Sequence, residues 1–242
     1  MGFQEQIAET GSRHVRLILL TEQAFFEPLG QPLRAASPQL EIVLARTLAE
    51  LEAAATSTPL RILSVGSDVI VPARILGQLA TPAYNIHPGP PNYPGIFPSV
   101  FALYEGAPTF AVTLHEMATT VDSGPIVAVD EFAIEPGWNR LALDTVTFGV
   151  LLKMIQPLAP QLADVTKPLP HIAQTWSGPK RTRKDFDALC RLPENAGEAE
   201  FMRRYRAVGE GPDHALSITR FGRTFHLKSE TLGPVVRGGQ PT

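Results

Sequence analysis

The stretch that most constrains the fold is residues 84–95, YNIHPGPPNYPG, where a short strand pattern runs into a loop with four prolines and two glycines. Side chains alternate along a strand, so Asn85 and His87 are predicted to share one face while Tyr84 and Ile86 point to the other. An amide and an imidazole would then project together at the carboxyl edge of a strand, where open α/β sheets bind ligands. The alternative is structural, a histidine whose nitrogens are satisfied by loop carbonyls.

The segments around this stretch alternate between short apolar runs and stretches with helical spacing of apolar residues. This alternation is typical of an α/β fold with a doubly wound, mostly parallel sheet. Strands are predicted over residues 15–21, 40–45, 60–66, 83–87, 109–115 and 126–134.

Helices are predicted between these strands, and proline sets their expected limits. Residues 22–39 contain Pro28 and Pro32 and are expected to hold at most one or two helical turns. In the long last helix, Asp144 is expected to cap the start and Pro157 to break the chain. The predicted helices cover residues 47–55, 72–79, 98–105 and 141–162.

The character of the sequence changes after residue 166, which predicts two domains. Residues 1–166 form the α/β domain, and residues 167–242 form a linker and a small C-terminal subdomain. Residues 176–184 are basic and marked by proline, as expected of a solvated linker. The subdomain is predicted to contain helices over 185–190 and 197–208 and a hairpin over 215–219 and 224–228.

Composition excludes several classes of protein. Among 242 residues, 21 are basic and 24 acidic, and a net charge of −3 does not favour sequence-independent nucleic-acid binding. A single cysteine excludes a disulfide framework and a cysteine-cluster metal site. No signal-peptide pattern and no apolar run of about 18 residues is found, so no membrane span is expected and the expected location is cytoplasmic. No glycine-rich dinucleotide loop or Walker loop follows any strand.

A third polar residue, Asp122, lies 35 positions after His87 in a loop between two predicted strands. If those strands neighbour the strand of Asn85, the carboxylate can reach the imidazole and favour its charged form. The Asn85 amide can donate to an oxygen that gains negative charge. No nucleophile elbow is present, so direct transfer to a carbonyl carbon is favoured over a covalent intermediate. A metal site is not predicted, because the spacing of these residues does not require one.

Three motifs together resemble the formyltransferase family that uses 10-formyltetrahydrofolate. They are Asn85-Ile-His87 with its proline-glycine loop, Val-Thr-Leu-His at 112–115, and Val-Asp-Ser-Gly at 121–124. The family includes glycinamide ribonucleotide, methionyl-tRNA and sugar N-formyltransferases, and the resemblance covers residues 61–152. It implies a formyltransferase-type, Rossmann-like α/β fold and 10-formyltetrahydrofolate as co-substrate.

The resemblance also implies roles for individual residues. Asn85 would polarise the formyl oxygen, and His87 would act as general base or charged stabiliser toward the attacking amine. Asp122 would orient His87 or a water, with His115 in support. The donor would be held by two segments, with the implied contacts Gly66, Asp68, Val69, Val71, Met117, Thr120 and Val121.

Two departures from the family affect the predicted acceptor. The usual HPSLLP loop has Gly89 in place of its serine, a variant that also resembles the formyltransferase-like half of hydrogenase-maturation proteins. The residues after 167 are too few for the oligonucleotide-binding-like domain of methionyl-tRNA formyltransferase. The expected acceptor is therefore the primary amine of a small molecule, with a nucleotide-linked amino sugar favoured.

Three alternatives remain open: hydrolysis of the formyl donor, formyl transfer to a thiol such as coenzyme A, and a non-catalytic folate- or sugar-binding module. No nucleic-acid or membrane partner is expected. A homodimer paired through the hairpin edge is also left open.

Overall fold

The structure is a computed structural model that describes residues 15–56, 59–209 and 216–227. Its centre is a six-stranded sheet. The strands are β1 (Arg16–Leu20), β2 (Glu41–Ala45), β3 (Leu60–Val65), β4 (Tyr84–His87), β5 (Thr109–Glu116) and β6 (Ile126–Ala133). They lie in the order β2-β1-β3-β4-β5-β6, which confirms the predicted α/β class.

The sheet is mixed at one side. Strands β1 to β4 are mutually parallel, whereas β5 runs antiparallel to β4, and β6 runs antiparallel to β5. The antiparallel register sets Asn85 opposite His115 and His87 opposite Thr113. Residues directly opposite each other in a pair share a face of the sheet. Polar side chains from β4 and β5 are therefore adjacent.

Helices cover both faces, as the doubly wound prediction requires. They are α1 (Gln23–Ala36), α2 (Leu48–Ala54), α3 (Ala73–Leu76), α4 (Pro98–Glu105), α5 (Arg140–Ala163), α6 (Arg183–Cys190) and α7 (Glu198–Val208). Helices α1 and α5 pack on the face that carries Tyr84 and Ile86, and α2 and α3 pack on the other face. The side of β4 that carries Asn85 and His87 is thus opposite the main core.

The prediction for residues 22–39 is wrong, because α1 runs unbroken over Gln23–Ala36 with Pro28 and Pro32 inside it. Each proline leaves one carbonyl of the preceding turn without a helical donor, at residues 24 and 28. Both of those residues are exposed, so water can satisfy the carbonyls. The apolar side of the helix packs on the core through buried Leu29 and Leu33. The ring centre of Phe25 also lies 4.7 Å from that of Phe148 in α5.

Two details of the other helices also differ from prediction. Helix α5 is capped by Asn139, whose side chain accepts from the Ala142 amide at 3.0 Å, while Asp144 lies a turn further on. Pro157 does not break α5, because the carbonyl that it frees, at residue 153, is on the exposed side. Helix α3 ends at Leu76 rather than at residue 79, with Gly77 closing it.

Length and composition alone would allow α5 to span a bilayer. Its inward side chains instead pack in the main core, with Leu151, Ile155 and Leu162 at most 3% exposed. A helix with one buried face packed on a sheet is typical of a globular domain.

The C-terminal elements share a second core with the sheet domain. Helices α6 and α7 and the hairpin β7 (Ser217–Arg220) and β8 (Arg223–His226) follow α5. Phe186, Val208 and Leu216 pack in one cluster with Phe101 of α4. The predicted hairpin is present, although its outermost predicted residues, 215 and 228, lie outside the described residues. The division into two domains at residue 166 stays a prediction. The cluster contains residues from both sides of that position.

A buried arginine fixes the end of α5 to the sheet. The guanidinium of Arg61 on β3 donates to the carbonyls of Gln161 at 2.7 Å and Leu162 at 2.9 Å, and also to Lys167. Arg61 is 0% exposed, and burial lowers its pKa, with Tyr84 and Asp164 opposing that effect. Last-turn carbonyls carry partial negative charge, so they compensate for a cation that has no buried carboxylate partner.

We expect Arg61→Met to lower the free energy of unfolding by about 3 kcal/mol or more, because it leaves several buried carbonyls without donors. Urea denaturation measures the change. Arg46→Met is the matched control, since Arg46 pairs with Glu50 at the surface and its loss costs less than about 1 kcal/mol. Equal losses in the two variants would contradict this role of Arg61.

Candidate functional site

The pairing of β4 with β5 brings an amide and an imidazole into contact. Asn85 Nδ2 lies 3.1 Å from His115 Nε2. On the far side of the ring, His115 Nδ1 donates to the carbonyl of Glu116 at 2.8 Å. A neutral imidazole has one N–H, and this donation places it on Nδ1. The Nε2 atom is then an acceptor for the Asn85 amide.

The ring of His87 is enclosed by protein. Its Nε2 donates to the Tyr93 carbonyl at 3.0 Å, and its Nδ1 lies 3.5 Å from Asp122 Oδ2. Gly89 is so close that a Cβ there would lie 2.6 Å from His87 Nε2. The sequence left open a purely structural histidine whose nitrogens are satisfied by loop carbonyls. The structure has such a carbonyl, that of Tyr93, at one of the two ring nitrogens of His87.

Asp122 is held between the two histidines by an unusual backbone conformation. Its φ of 50° is left-handed, and its side chain is 3% exposed. Oδ2 accepts from the Gly95 amide at 2.8 Å, and Oδ1 lies 3.4 Å from His115 Nε2. The structure thus brings together all three residues predicted to be catalytic, Asn85, His87 and Asp122. Their roles remain predictions.

Burial and hydrogen bonding set the charges in this cluster. Burial lowers the pKa of His87, against the attraction of the Asp122 carboxylate and the Tyr93 carbonyl. Burial alone would raise the pKa of Asp122, but the neighbouring His115 and His87 rings and the hydrogen bond from the Gly95 amide hold it below its ordinary value. Asp122 is therefore ionised and His87 uncharged near neutral pH.

A cleft opens beside this cluster, lined by Asn85, His115 and Asp122 at its inner end. Several of the predicted donor contacts line its walls. They are Val69 and Val71 after β3, and Met117, Thr120 and Val121 after β5.

The other two predicted donor contacts, Gly66 and Asp68, are exposed and do not line the cleft. Gly66 has a φ of 58°, which turns the chain at the end of β3. Ser67 and Ile70 of the same loop do line the cleft. Ile70 is 62% exposed, and a large apolar side chain presented to solvent beside a cleft is a binding signal that the sequence alone did not reveal.

The segment expected to be a solvated linker crosses directly over the proline loop, residues 88–95. We call residues 176–182 the strap. Its backbone bonds to that loop at two places, from the Ser177 amide to the Pro91 carbonyl at 3.0 Å and from the Arg181 amide to the Pro94 carbonyl at 2.8 Å. Most of its side chains are exposed, but these bonds fix its path.

Trp176 of the strap packs against the polar cluster. Its indole centre lies 4.8 Å from the His115 ring and 5.6 Å from the His87 ring, and its Nε1 donates to the Gly124 carbonyl at 2.8 Å. The sequence gives no sign of this contact. The strap is held by backbone hydrogen bonds, and Trp176 is far along the chain from both histidines, so no spacing pattern connects them. In the described ranges, no three His, Cys, Asp or Glu side chains are grouped to hold a metal ion.

Comparison with known proteins agrees with this geometry. Residues 45–145 match the model of the formyl transferase family. Over 129 residues the chain is 32% identical to dTDP-4-amino-4,6-dideoxyglucose formyltransferase of Mycobacterium tuberculosis strain H37Rv, an alignment that covers 51% of this chain and 53% of that relative. The chain thus spans about half the length of the curated relative that it matches.

Solved structures show the same fold. A sugar N-formyltransferase from a Shewanella species superposes with a TM-score of 0.73 at 17% identity, covering 89% of this chain and 97% of that one. An N-formyltransferase from Helicobacter canadensis, in complex with folinic acid and dTDP-3-aminofucose, has a TM-score of 0.64 at 15% identity and covers 80% of each chain. The resemblance predicted from the sequence motifs is confirmed.

We expect Gly89→Ala to destabilise the protein by about 1–3 kcal/mol, as overpacking of a rigid site does. A Cβ at residue 89 would meet the His87 ring and, also at 2.6 Å, the Cβ of Pro98. Chemical denaturation measures the effect. Gly149→Ala adds the same methyl group in open space on α5 and should be neutral or stabilising. An equally stable Gly89→Ala protein would contradict this packing.

The lowered pKa of His87 predicts a pH dependence of stability. In the unfolded chain the imidazole has its ordinary pKa of 6.5, so below that pH the unfolded state binds more protons than the folded state. The free energy of unfolding should therefore fall as the pH drops from about 7.5 to about 5. Asp122 adds nothing in this window because its pKa lies below the usual value of 3.8. The His87→Gln variant should lack the part of this decrease in unfolding free energy that His87 causes. Urea midpoints that change with pH in the same way for the wild-type and variant proteins would contradict this prediction.

Proposed function

We propose that this chain, whose residues 45–145 match the formyl transferase family, transfers a formyl group from 10-formyltetrahydrofolate to the primary amine of a small molecule. A nucleotide-linked amino sugar is the favoured acceptor. One observation carries the proposal: the Asn85 amide, the His115 imidazole and an ionised Asp122 carboxylate meet at the inner end of one cleft, and the His87 imidazole lies against the same carboxylate. That arrangement suits acyl transfer, which needs an oxyanion donor and a group that handles a proton.

The compared proteins support the choice of donor and acceptor. The curated relative acts on a dTDP-linked amino sugar by its name, and the Helicobacter canadensis enzyme holds folinic acid together with dTDP-3-aminofucose. The cleft walls between the β3 and β5 loops are apolar, and its inner end is polar. Such a cleft suits a flat ring with a reactive group at one end.

The geometry supports direct attack by the amine. Asn85 Nδ2 has two N–H groups, of which one contacts His115, so the other is available to the formyl oxygen as it becomes an oxyanion. The proton lost by the amine passes to the cluster of His87, Asp122 and His115. An ionised Asp122 stabilises the positive charge that this transfer creates.

The remaining parts of the proposal concern partners and location. We propose a cytoplasmic enzyme with small-molecule substrates and no nucleic-acid partner, in keeping with a net charge of −3. A homodimer is included because the hairpin exposes Phe221 fully and Phe225 by 54%. Apolar side chains exposed on a two-stranded sheet favour a covering partner.

The direct test is formyl transfer from 10-formyltetrahydrofolate to dTDP-linked amino sugars, followed by product mass. Asn85→Ala and Asp122→Ala should each lower kcat by about 100- to 10,000-fold while leaving the thermal unfolding transition cooperative. Asn92→Ala and Asp130→Ala are matched controls, because both side chains are exposed. Near-normal turnover in both site variants would remove the proposed site.

The same assay separates the alternative functions. Release of tetrahydrofolate without any acceptor indicates hydrolysis, and release that requires coenzyme A indicates transfer to a thiol. Binding of folinic acid without turnover, across amines and thiols, indicates a non-catalytic module. Any of these results in place of transfer to an amine would overturn the proposal.

A further inference from the structure

We propose that Trp176 is a positioning residue for the reaction, which holds the turn of Asp122 and the two histidine rings in one arrangement. The inference rests on the proposed formyl transfer and deepens it, because it adds a residue of the strap to the site. Trp176 lies outside residues 45–145, the part of the chain that matches the formyl transferase family. Three features carry it: the rings that the indole touches, its hydrogen bond, and the bonds that fix its own position.

The first feature is the contact of the indole with both imidazoles. Its ring centre lies 4.8 Å from that of His115 at an interplanar angle of 87°, and 5.6 Å from that of His87 at 72°. Edge-to-face packing of this kind is a favourable geometry for ring pairs. His115 belongs to β5 and His87 to β4, so one side chain packs on both strands of the site. Trp176 does not line the cleft and therefore acts through these neighbours.

The second feature is the hydrogen bond of the indole to the segment that carries the carboxylate. Trp176 Nε1 donates to the Gly124 carbonyl at 2.8 Å, and Gly124 lies two residues after Asp122. A Cβ at Gly124 would lie 2.0 Å from the Glu116 carbonyl, so this segment is packed closely against the end of β5. The left-handed φ of Asp122 is disfavoured for a residue with a Cβ and persists only when its surroundings hold it. The indole bond supplies one such restraint.

The third feature is the attachment of Trp176 itself. The amide of the next residue, Ser177, donates to the Pro91 carbonyl at 3.0 Å, which ties the strap to the proline loop. The Lys180 ammonium donates to the Val121 carbonyl at 3.0 Å, which ties the strap to the loop after β5. The indole is therefore held by bonds on both sides of the cluster. A side chain restrained in this way can hold its neighbours in register.

The indole also keeps water from the cluster. The side chains of His87, His115 and Asp122 are each at most 4% exposed, and they are the titratable groups that face it. Two other charged groups nearby are directed away. Lys180 donates to a backbone carbonyl, and the Glu116 side chain points to the opposite face of β5 from His115. Loss of the indole would therefore change the solvation of the cluster without removing a charge.

Two variants of Trp176 test the role by kinetics. Trp176→Phe keeps an aromatic ring but loses the bond to Gly124, and kcat should fall by about tenfold. Trp176→Ala also loses the packing, and kcat should fall by about 100-fold, as a displacement of about 1 Å within a reacting site does. The KM for 10-formyltetrahydrofolate should stay within about threefold of wild type in both, because the walls of the cleft are kept.

The matched control is Trp138→Phe, the same substitution at the other tryptophan of the chain. Trp138 packs on the second core, away from the cluster, so this variant should keep the wild-type kcat whatever it does to stability. Wild-type kcat in both Trp176 variants would overturn the inference and leave formyl transfer standing. A loss of kcat in Trp138→Phe equal to that in Trp176→Phe would also overturn it, because the effect would then be general destabilisation.

A second measurement does not depend on activity. Burial lowers the pKa of His87, so water admitted by Trp176→Ala should let that pKa rise toward its ordinary value of 6.5. An NMR titration of the imidazole signals should show the rise in Trp176→Ala and not in Trp138→Phe. An unchanged pKa of His87 in Trp176→Ala would overturn the inference. Wild-type protein that transfers no formyl group to any amine would instead remove the proposed function, and the titration would still decide whether the indole holds the cluster.

Discussion

The buried carboxylate of Asp122 is the interaction on which the rest of the site depends. A charge on a side chain that is 3% exposed is costly unless hydrogen bonds replace the water that it has lost. The Gly95 amide donates one such bond, and the His115 ring lies 3.4 Å from the other carboxylate oxygen. The Gly95 bond ties the loop after β5 to the proline loop after β4. The cleft wall and the reactive groups are therefore positioned together.

The proline loop and the strap make this arrangement rigid. Gly95 and Gly178 lie where the strap meets the loop, and a Cβ at either would come within 2.3 Å of a backbone oxygen across the contact. Such close approach is possible only for glycine. Prolines restrict the intervening backbone, so little conformational entropy is left to lose when a substrate binds. A loop ordered in advance suits a site whose parts must stand within hydrogen-bond distance of a reacting carbon.

Much of this could be predicted from the sequence, because it depends on local periodicity. Alternation along β4 placed Asn85 and His87 on one face, and the loop position of Asp122 allowed its carboxylate to reach the imidazole. The path of α1 could not be predicted in this way. Its two prolines are tolerated because the carbonyls that they free are exposed, which only tertiary packing decides. The strap was missed because it is held by backbone bonds, for which residue identity carries almost no signal.

The two histidines show a different limit. Proton handling depends on which nitrogen of each ring carries the hydrogen, and backbone carbonyls decide that here. Tyr93 and Glu116 contribute only their main-chain oxygens to this choice. No side-chain pattern could reveal them. The antiparallel direction of β5 sets His115 opposite Asn85. The chemistry of the site therefore depends on strand direction as much as on residue type.

A crystal structure of the protein with folinic acid and a dTDP-linked amino sugar tests the central claim most directly. The claim predicts the folate ring between the β3 and β5 loops, with the Asn85 amide and the His115 ring facing the reacting end. It also predicts an unmoved Asp122 carboxylate that still accepts from Gly95. A folate bound elsewhere, or an Asp122 turned out to solvent with its two histidines apart, would contradict the account.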